Sequence, residues 1–224
     1  MIRSNPSRTA LALCALIPAL MTACAQDAPP PPAADPGPPA AATDAPAAAP
    51  TVTARLGPDS PFAEGAPPPS REPDVIYVPT PERVVDAMLN LARVREGDVL
   101  YDLGSGDGRI PIAAAQRFGV RAVGIDINPV RVREANANAE AAGVTDLVTF
   151  KEADLFQEDI GDASVVTLYL LQSLNVKLRP KLLAELRPGT RIVSHAFDMA
   201  DQWTPEATQE VDGTRIYLWT VPER

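Results

Sequence analysis

Cysteine is nearly absent from this chain: there are two, Cys14 and Cys24, both close to the N-terminus. Any domain folded from later residues therefore has no disulfide framework, no thiolate metal site and no cysteine nucleophile. Histidine is scarcer still, with His195 alone, and no group of residues has metal-ligand spacing, so no metal is expected. Basic residues are outnumbered, with 20 Lys and Arg against 29 Asp and Glu, a formal charge of −9. Removal of the first 23 residues, which hold Arg3 and Arg8 and no acid, would leave 18 against 29, or −11. An acidic surface repels phosphate backbones over most of its area, so no nucleic-acid partner is expected. The sequence has no internal repeat, and nothing in it predicts an oligomer. Its N-terminal apolar run, Thr9 to Ala23, falls short of the ~20 residues a membrane-spanning helix needs.

That run follows Arg3 and Arg8, so residues 1–23 read as a removable export signal. Leu20-Met21-Thr22-Ala23-Cys24 resembles a bacterial lipoprotein box, with small residues directly before a cysteine. The resemblance implies a lipidated Cys24, a membrane tether and a periplasm-facing place in the cell envelope. A plain secretory signal and a retained N-terminal anchor are the competing readings; if the signal reading fails, the cytoplasmic face is the expected location. Fourteen of the 25 prolines fall between Pro29 and Pro69, among alanines and few large apolar residues. Residues 24–70 are thus expected to be a disordered, extended linker, because they cannot bury enough surface to offset ordering. Folding is left to residues 71–224, roughly 150 residues and a common size for one domain.

In that segment Thr80-Pro81 reads as a helix start, with the Thr hydroxyl as cap. Val84, Val85, Met88, Leu89 and Ala92 follow at helical spacing. Val99-Leu100-Tyr101 is a short strand running into a glycine-rich loop, and Arg109 to Phe118 is a helix. Val120 to Ile125 is a second strand, ending at Asp126. A helix runs from Pro129 to a cap at Gly143, and Leu147 to Phe150 is a third strand. Ala163 to Leu170 is a fourth, apolar throughout most of its length, as a central strand covered on both faces should be. Leu174 to Leu186 is helical, broken or restarted at Pro180. Arg191 to Ser194 and, after an irregular stretch, Arg215 to Val221 complete the strands. The alternation predicts an α/β fold: a mostly parallel sheet with a terminal antiparallel strand and helices on both faces.

The chemistry concentrates where strands end. Gly104, Gly106 and Gly108 let the backbone turn tightly and approach a ligand, with helix amides facing the same place. A dinucleotide fingerprint reads G-x-G-x-x-G; here the spacing is G-x-G-x-G, and Asp102 stands two residues before it. An acid beside the loop suits a cationic ligand better than a pyrophosphate. Asp126 follows Asp102 by 24 residues, close to the ~20 expected of a carboxylate that holds ribose hydroxyls. Asp154 stands near the end of the third strand. One such acid is usually a surface loop residue; three on the edge where open parallel sheets bind ligands form a site.

The string Asp102-Leu103-Gly104-Ser105-Gly106-Asp107-Gly108 resembles motif I of class I, Rossmann-like S-adenosylmethionine-dependent methyltransferases. Together with Tyr77-Val78-Pro79-Thr80-Pro81, Asp154-Leu155-Phe156 and Leu168-Tyr169-Leu170-Leu171, it resembles the bacterial relatives of the ATP synthase c-subunit lysine methyltransferase family, over roughly Val75 to Phe197. The resemblance implies S-adenosylmethionine as cofactor and a protein lysine as methyl acceptor. It implies that Asp102, Gly104, Ser105, Gly106 and Gly108 hold the cofactor from one side and Asp126 and Ile127 from the ribose side. Asp154 and Leu155 would take the adenine, and Tyr77 and Thr80 would close over the whole. The lipoprotein-like N-terminus departs from that family's pattern, which leaves the acceptor and the supply of cofactor open.

Tyr169 ends the fourth strand, where the resemblance implies that the methyl acceptor enters, and its ring face suits an amine channel; packing with a bonded hydroxyl is the competing reading. His195 is a candidate general base, against the plainer reading of a structural imidazole at a strand end. No Asn/Asp-Pro-Pro-Tyr occurs at the fourth strand, which argues against methylation of adenine or of a planar amide. Trp203 and Trp219 read as packing residues. Two other functions fit the same residues: a small-molecule methyltransferase, and a module in the cell envelope that binds the cofactor or a nucleoside without transfer.

Overall fold

The structure is a computed structural model that describes residues 72–224; the expected signal over 1–23 and linker over 24–70 lie outside the described residues. The first helix, α1, spans Glu82–Leu91 and buries Val84, Val85, Met88 and Leu89, the face its spacing predicts. Its start differs from expectation. Pro81 precedes it, no side chain caps it, and the Pro81 carbonyl accepts from Val84 and Val85 at 2.9 and 3.0 Å. The Thr80 hydroxyl turns away to Nδ1 of His195 at 3.2 Å. Water can reach amides at the exposed start of α1, whereas a buried imidazole nitrogen needs a protein partner.

Seven strands follow, interleaved with helices: β1 (Val99–Leu103), α2 (Arg109–Phe118), β2 (Arg121–Asp126), α3 (Pro129–Ala142), β3 (Val148–Glu152), β4 (Val165–Leu168), α4 (Gln172–Glu185), β5 (Arg191–His195), β6 (Ala207–Val211) and β7 (Thr214–Thr220). They form one sheet in the order β3-β2-β1-β4-β5-β7-β6. The first five strands pair in parallel, and β7 runs antiparallel between β5 and β6. This is the mostly parallel sheet with an antiparallel end that the sequence predicts. The stretch before β7, expected to be irregular, holds one more strand, β6, which forms a hairpin with β7.

Side-chain alternation sends each strand to two cores. Leu100, Val165 and Val193 meet α1, α2 and α3 on one face. Leu103, Val166, Leu168 and Ile192 meet Leu178 and Leu182 of α4 on the other. Helices therefore cover both faces. Asn128 caps α3 by accepting from Val130 at 2.9 Å, with Pro129 in the first turn and Gly143 closing the end. Pro180 does not break α4, which is continuous through it. Leu178 and Leu182, both fully buried, flank the proline and hold the helix on the sheet despite the missing amide. Trp219 is fully buried and donates its indole N–H to the Trp203 carbonyl at 2.9 Å, in keeping with a packing role for both.

Candidate active site

Strand order reverses between β1 and β4, which opens a crevice above the carboxyl ends of the parallel strands. The glycine loop forms its floor. The amides of Gly104 and Ser105 both donate to the Ile125 carbonyl, at 2.8 and 3.0 Å, so the loop is anchored to the end of β2. Gly106 has φ +53°, and a Cβ there would lie 2.2 Å from Cε2 of Tyr77. Only glycine lets that ring rest on the loop. A Cβ on Gly108 would instead strike Phe150 at 2.4 Å, so this glycine seats α2 on β3.

Three carboxylates surround the loop. Asp102 is 2% exposed, and its Oδ1 accepts from the Thr167 hydroxyl at 2.6 Å. Burial raises its pKa to about 7; the Thr167 hydrogen bond opposes the rise, while the charges of Asp126 and Asp107 add to it. Asp126 accepts the Gly106 amide on Oδ2 at 2.9 Å and the Asn128 amide on Oδ1 at 2.8 Å. Burial raises its pKa as well, against the lowering effect of those amides. Asp154 accepts from the Phe156 amide at 3.0 Å, which turns the chain beyond β3 and sets Leu155 and Phe156 into the wall.

The segment before α1 is a strap across the crevice. Arg109 fastens it: the guanidinium donates from Nε and Nη2 to Asp107, at 3.0 and 2.6 Å, and from Nη1 to the Thr80 carbonyl at 2.8 Å. Tyr77 lies between this pair and Arg131, whose guanidinium carbon is 4.6 Å from the ring centroid. The Tyr77 hydroxyl is buried without a hydrogen-bond partner among the described residues. Its pKa is pushed up, first by burial and then by the charge of Asp107. A buried tyrosine hydroxyl, a glycine loop and the backbone-bonded carboxylate of Asp126 together fit a ligand with a polar, zwitterionic end and a nucleoside.

On the other flank, Tyr169 follows β4 and lines the crevice. Its ring lies 3.9 Å from that of His195, tilted by 36°, and 6.4 Å from that of Phe197. His195 does not line the crevice. It is 4% exposed, and burial lowers its pKa to about 4, so it is neutral near pH 7. That is the surrounding of a structural imidazole rather than of a base open to substrate.

One cleft of about 970 Å³, measured out to its open mouth, gathers Tyr77, Thr80, Asp102, Gly104, Ser105, Asp126, Ile127, Asp154, Leu155 and Tyr169. Of the residues singled out from the sequence, Gly106, Gly108 and His195 lie outside the lining. Asp107, Arg109, Asn128, Arg131, Phe156, Leu170 and Leu174 line it without having been assigned a role from the sequence. The acid-x-Arg pair at the strand-to-helix turn is a signal that could have found Asp107 and Arg109. Arg131 has none, since only the packing of α3 brings it to Tyr77.

Comparison with known proteins bears on this arrangement. Residues 102–207 match a family model described as the ANTKMT methyltransferase domain. A protein-lysine N-methyltransferase of Saccharolobus islandicus (strain REY15A) is 49% identical over 156 residues, which is 67% of this chain and 96% of that protein. The adenine nucleotide translocase lysine N-methyltransferase of Mus musculus is 38% identical over 148 residues, and the matched part is 66% of this chain and 63% of the mouse protein. Among solved structures, an RNA methyltransferase from Salinibacter ruber in complex with S-adenosyl-L-homocysteine superposes with a TM-score of 0.64 at 58% identity, covering 66% of this chain and 95% of that one.

Proposed function

This chain belongs to the S-adenosylmethionine-dependent methyltransferase family that shares the ANTKMT domain, and we propose that its methyl acceptor is the side-chain amine of a protein lysine. The observation that carries the proposal is one cleft that joins a carboxylate-rimmed glycine loop to an aromatic mouth at Tyr169. S-adenosylmethionine, when bound, supplies an electrophilic methyl carbon; transfer to an amine lone pair leaves a neutral thioether and a proton to be lost.

The chain's own residues then divide the work. Asp126 takes the ribose hydroxyls, and Ile127 lies beside the sugar. Asp154 receives the adenine amino group, with Leu155 against the base. Asp102, Ser105 and the loop backbone at Gly104 face the amino-acid end, with the buried Tyr77 hydroxyl beside it. The strap from Tyr77 to Thr80 excludes water, so attack takes place in a site of low dielectric. Tyr169 offers its ring face to the incoming amine and aligns it for in-line attack. The neutral His195 does not take the proton, which leaves to solvent.

The lysine reading draws support from the acceptor named for the Saccharolobus islandicus relative. The Salinibacter ruber neighbour is described as an RNA methyltransferase, which favours a second reading, an RNA acceptor. Against it, both cations lining the cleft are engaged by carboxylates, Arg109 by Asp107 and Arg131 by Glu134, and the chain is acidic overall. No helix among the described residues is long and apolar enough to cross a membrane. The membrane link is a lipidated Cys24 in the cell envelope, on the strength of the Leu20-to-Cys24 sequence.

Calorimetry with S-adenosylmethionine, followed by transfer of labelled methyl groups to cell protein and to total RNA, tests the function. Binding that Asp126→Ala weakens, with label in protein at lysine, is the expected result. Unchanged binding in that variant overturns the cofactor site, and label in RNA alone overturns the acceptor. Mass spectrometry of the mature N-terminus tests the tether, through a diacylglyceryl modification at Cys24.

A further inference from the structure

The strap that covers the cofactor side and the aromatic wall of the acceptor side come from opposite ends of the domain. A single buried side chain touches both. His195, the last residue of β5, meets the Thr80 hydroxyl through Nδ1 at 3.2 Å, and its ring lies 3.9 Å from that of Tyr169. Thr80 is itself 4% exposed, and its carbonyl accepts from Arg109 at 2.8 Å, so the residue is held from two sides at the foot of the strap.

The turn after His195 is built with equal specificity. Ala196 has φ +64°, a conformation that a residue with a Cβ adopts only when its surroundings impose it. The Phe197 amide turns back to the His195 carbonyl at 2.8 Å. Asn175, fully buried, donates to the Phe197 carbonyl at 3.0 Å, and Ser194 does so at 2.6 Å. Phe197 is thereby fixed beside Tyr169, 6.4 Å between ring centroids.

We propose that His195 is a positioning residue of the methyl-transfer site, which sets Tyr169 through ring packing and the strap through its bond to Thr80, so that closure over the cofactor and alignment of the acceptor are mechanically linked. The proposal rests on the methyltransferase reading above. It assigns His195 no proton transfer. A neutral imidazole suits the role, since either tautomer completes the bond to a hydroxyl that both donates and accepts.

Two substitutions separate the two contacts in the full-length protein. His195→Phe keeps a ring against Tyr169 and removes the bond to Thr80. His195→Gln keeps a hydrogen-bonding group for Thr80 and removes the ring. Binding of S-adenosylhomocysteine is measured by calorimetry, and turnover by labelled methyl transfer to protein extracted from cells that lack the gene. His195→Phe should weaken cofactor binding about three- to tenfold, as loss of one buried hydrogen bond does. Thr80→Val should match it, and the double variant should be no worse than either single one. His195→Gln should bind the cofactor as the wild type does and lose turnover at saturating cofactor.

A purely structural role would lower the melting temperature in all variants while leaving binding and saturated turnover unchanged; that result overturns the proposal. Loss of turnover at saturating cofactor in His195→Phe, which keeps the ring but cannot carry a proton, would assign acid–base chemistry and overturn it equally. Should His195→Phe not fold, Thr80→Val removes the same bond at nearly constant volume, and wild-type binding there is sufficient refutation. A wild type that binds no cofactor refutes the underlying reading instead.

Discussion

Arg109→Ala should be the most informative substitution on the cofactor side. The guanidinium makes a forked contact to Asp107, whose side chain is 1% exposed against 16% for Arg109, and a third bond to the Thr80 carbonyl. Removing it leaves the Asp107 carboxylate without its partner at the wall of the cleft. Breaking a buried pair in this way costs about 3–5 kcal/mol, and the lower end applies because Arg109 keeps some contact with solvent. For a domain with about 5–15 kcal/mol of total stability, a loss of ~3 kcal/mol is large. It should also lower the melting temperature by roughly 6–12 °C at this size. Urea denaturation followed by circular dichroism measures the loss. Arg109→Lys should fall between, since an ammonium restores charge without the fork. Asp107→Asn combined with Arg109→Leu should recover part of the stability, because no uncompensated charge remains. A change within about 0.5 kcal/mol for Arg109→Ala, the scale of ordinary surface substitutions, would refute the pairing argument.

Asp102 gives a prediction in pH. Its folded pKa, about 7, lies above the ordinary 3.8, so the fold favours the protonated carboxyl. Its contribution is complete below pH 3.8 and drains away as the pH rises through 7. Asp102→Asn, which can still accept from Thr167, should therefore gain stability over the wild type between about pH 4 and pH 8, on the order of 4 kcal/mol; a constant difference in urea midpoints would refute this. Gly106→Ala should reduce affinity for S-adenosylmethionine at least about tenfold in calorimetry, because its Cβ displaces Tyr77 at a position with φ +53°. Binding equal to wild type would remove the strap from the cofactor site. Pro180→Ala restores an amide inside α4 at an exposed position and should stabilise the domain by about 1–3 kcal/mol in urea denaturation. A loss of stability there would mean that the proline ring packs in a way the geometry does not reveal.

Where local signals are strong, the sequence predicts this molecule well. The Asn128-Pro129 start and Gly143 stop of α3 carry their own capping chemistry, and the apolar runs of β1 and β4 leave few alternatives. The failures have a common cause, which is distance along the chain. Thr80 has the residue type of a helix cap, but its hydroxyl goes to a histidine 115 positions away. Ala207-Thr208-Gln209-Glu210-Val211 lacks apolar alternation because β6 is an edge strand with both faces largely exposed, held by pairing to β7. Pro180 is tolerated because burial on either side outweighs a local defect. In the site, the glycine loop and the acids at Asp126 and Asp154 were legible as a motif. The roles of Asp107, Arg109 and Arg131 depend on the strap reaching back over the sheet, which no window of sequence contains.

The reach of the contact from Thr80 to His195 also bears on the order in which the molecule acquires function. A chain emerging from its N-terminus makes the glycine loop early. Asp102 cannot meet Thr167 until another 65 residues have followed, and Thr80 waits until β5 is in place. Closing such long loops slows folding, and residues 72–224 hold no cysteine that could crosslink intermediates. Completing the cleft therefore depends on contacts that span much of the domain, and a bound cofactor would hold together parts of the chain that are distant in sequence. Ligand occupancy would then act on the half-life of the whole domain as well as on its chemistry.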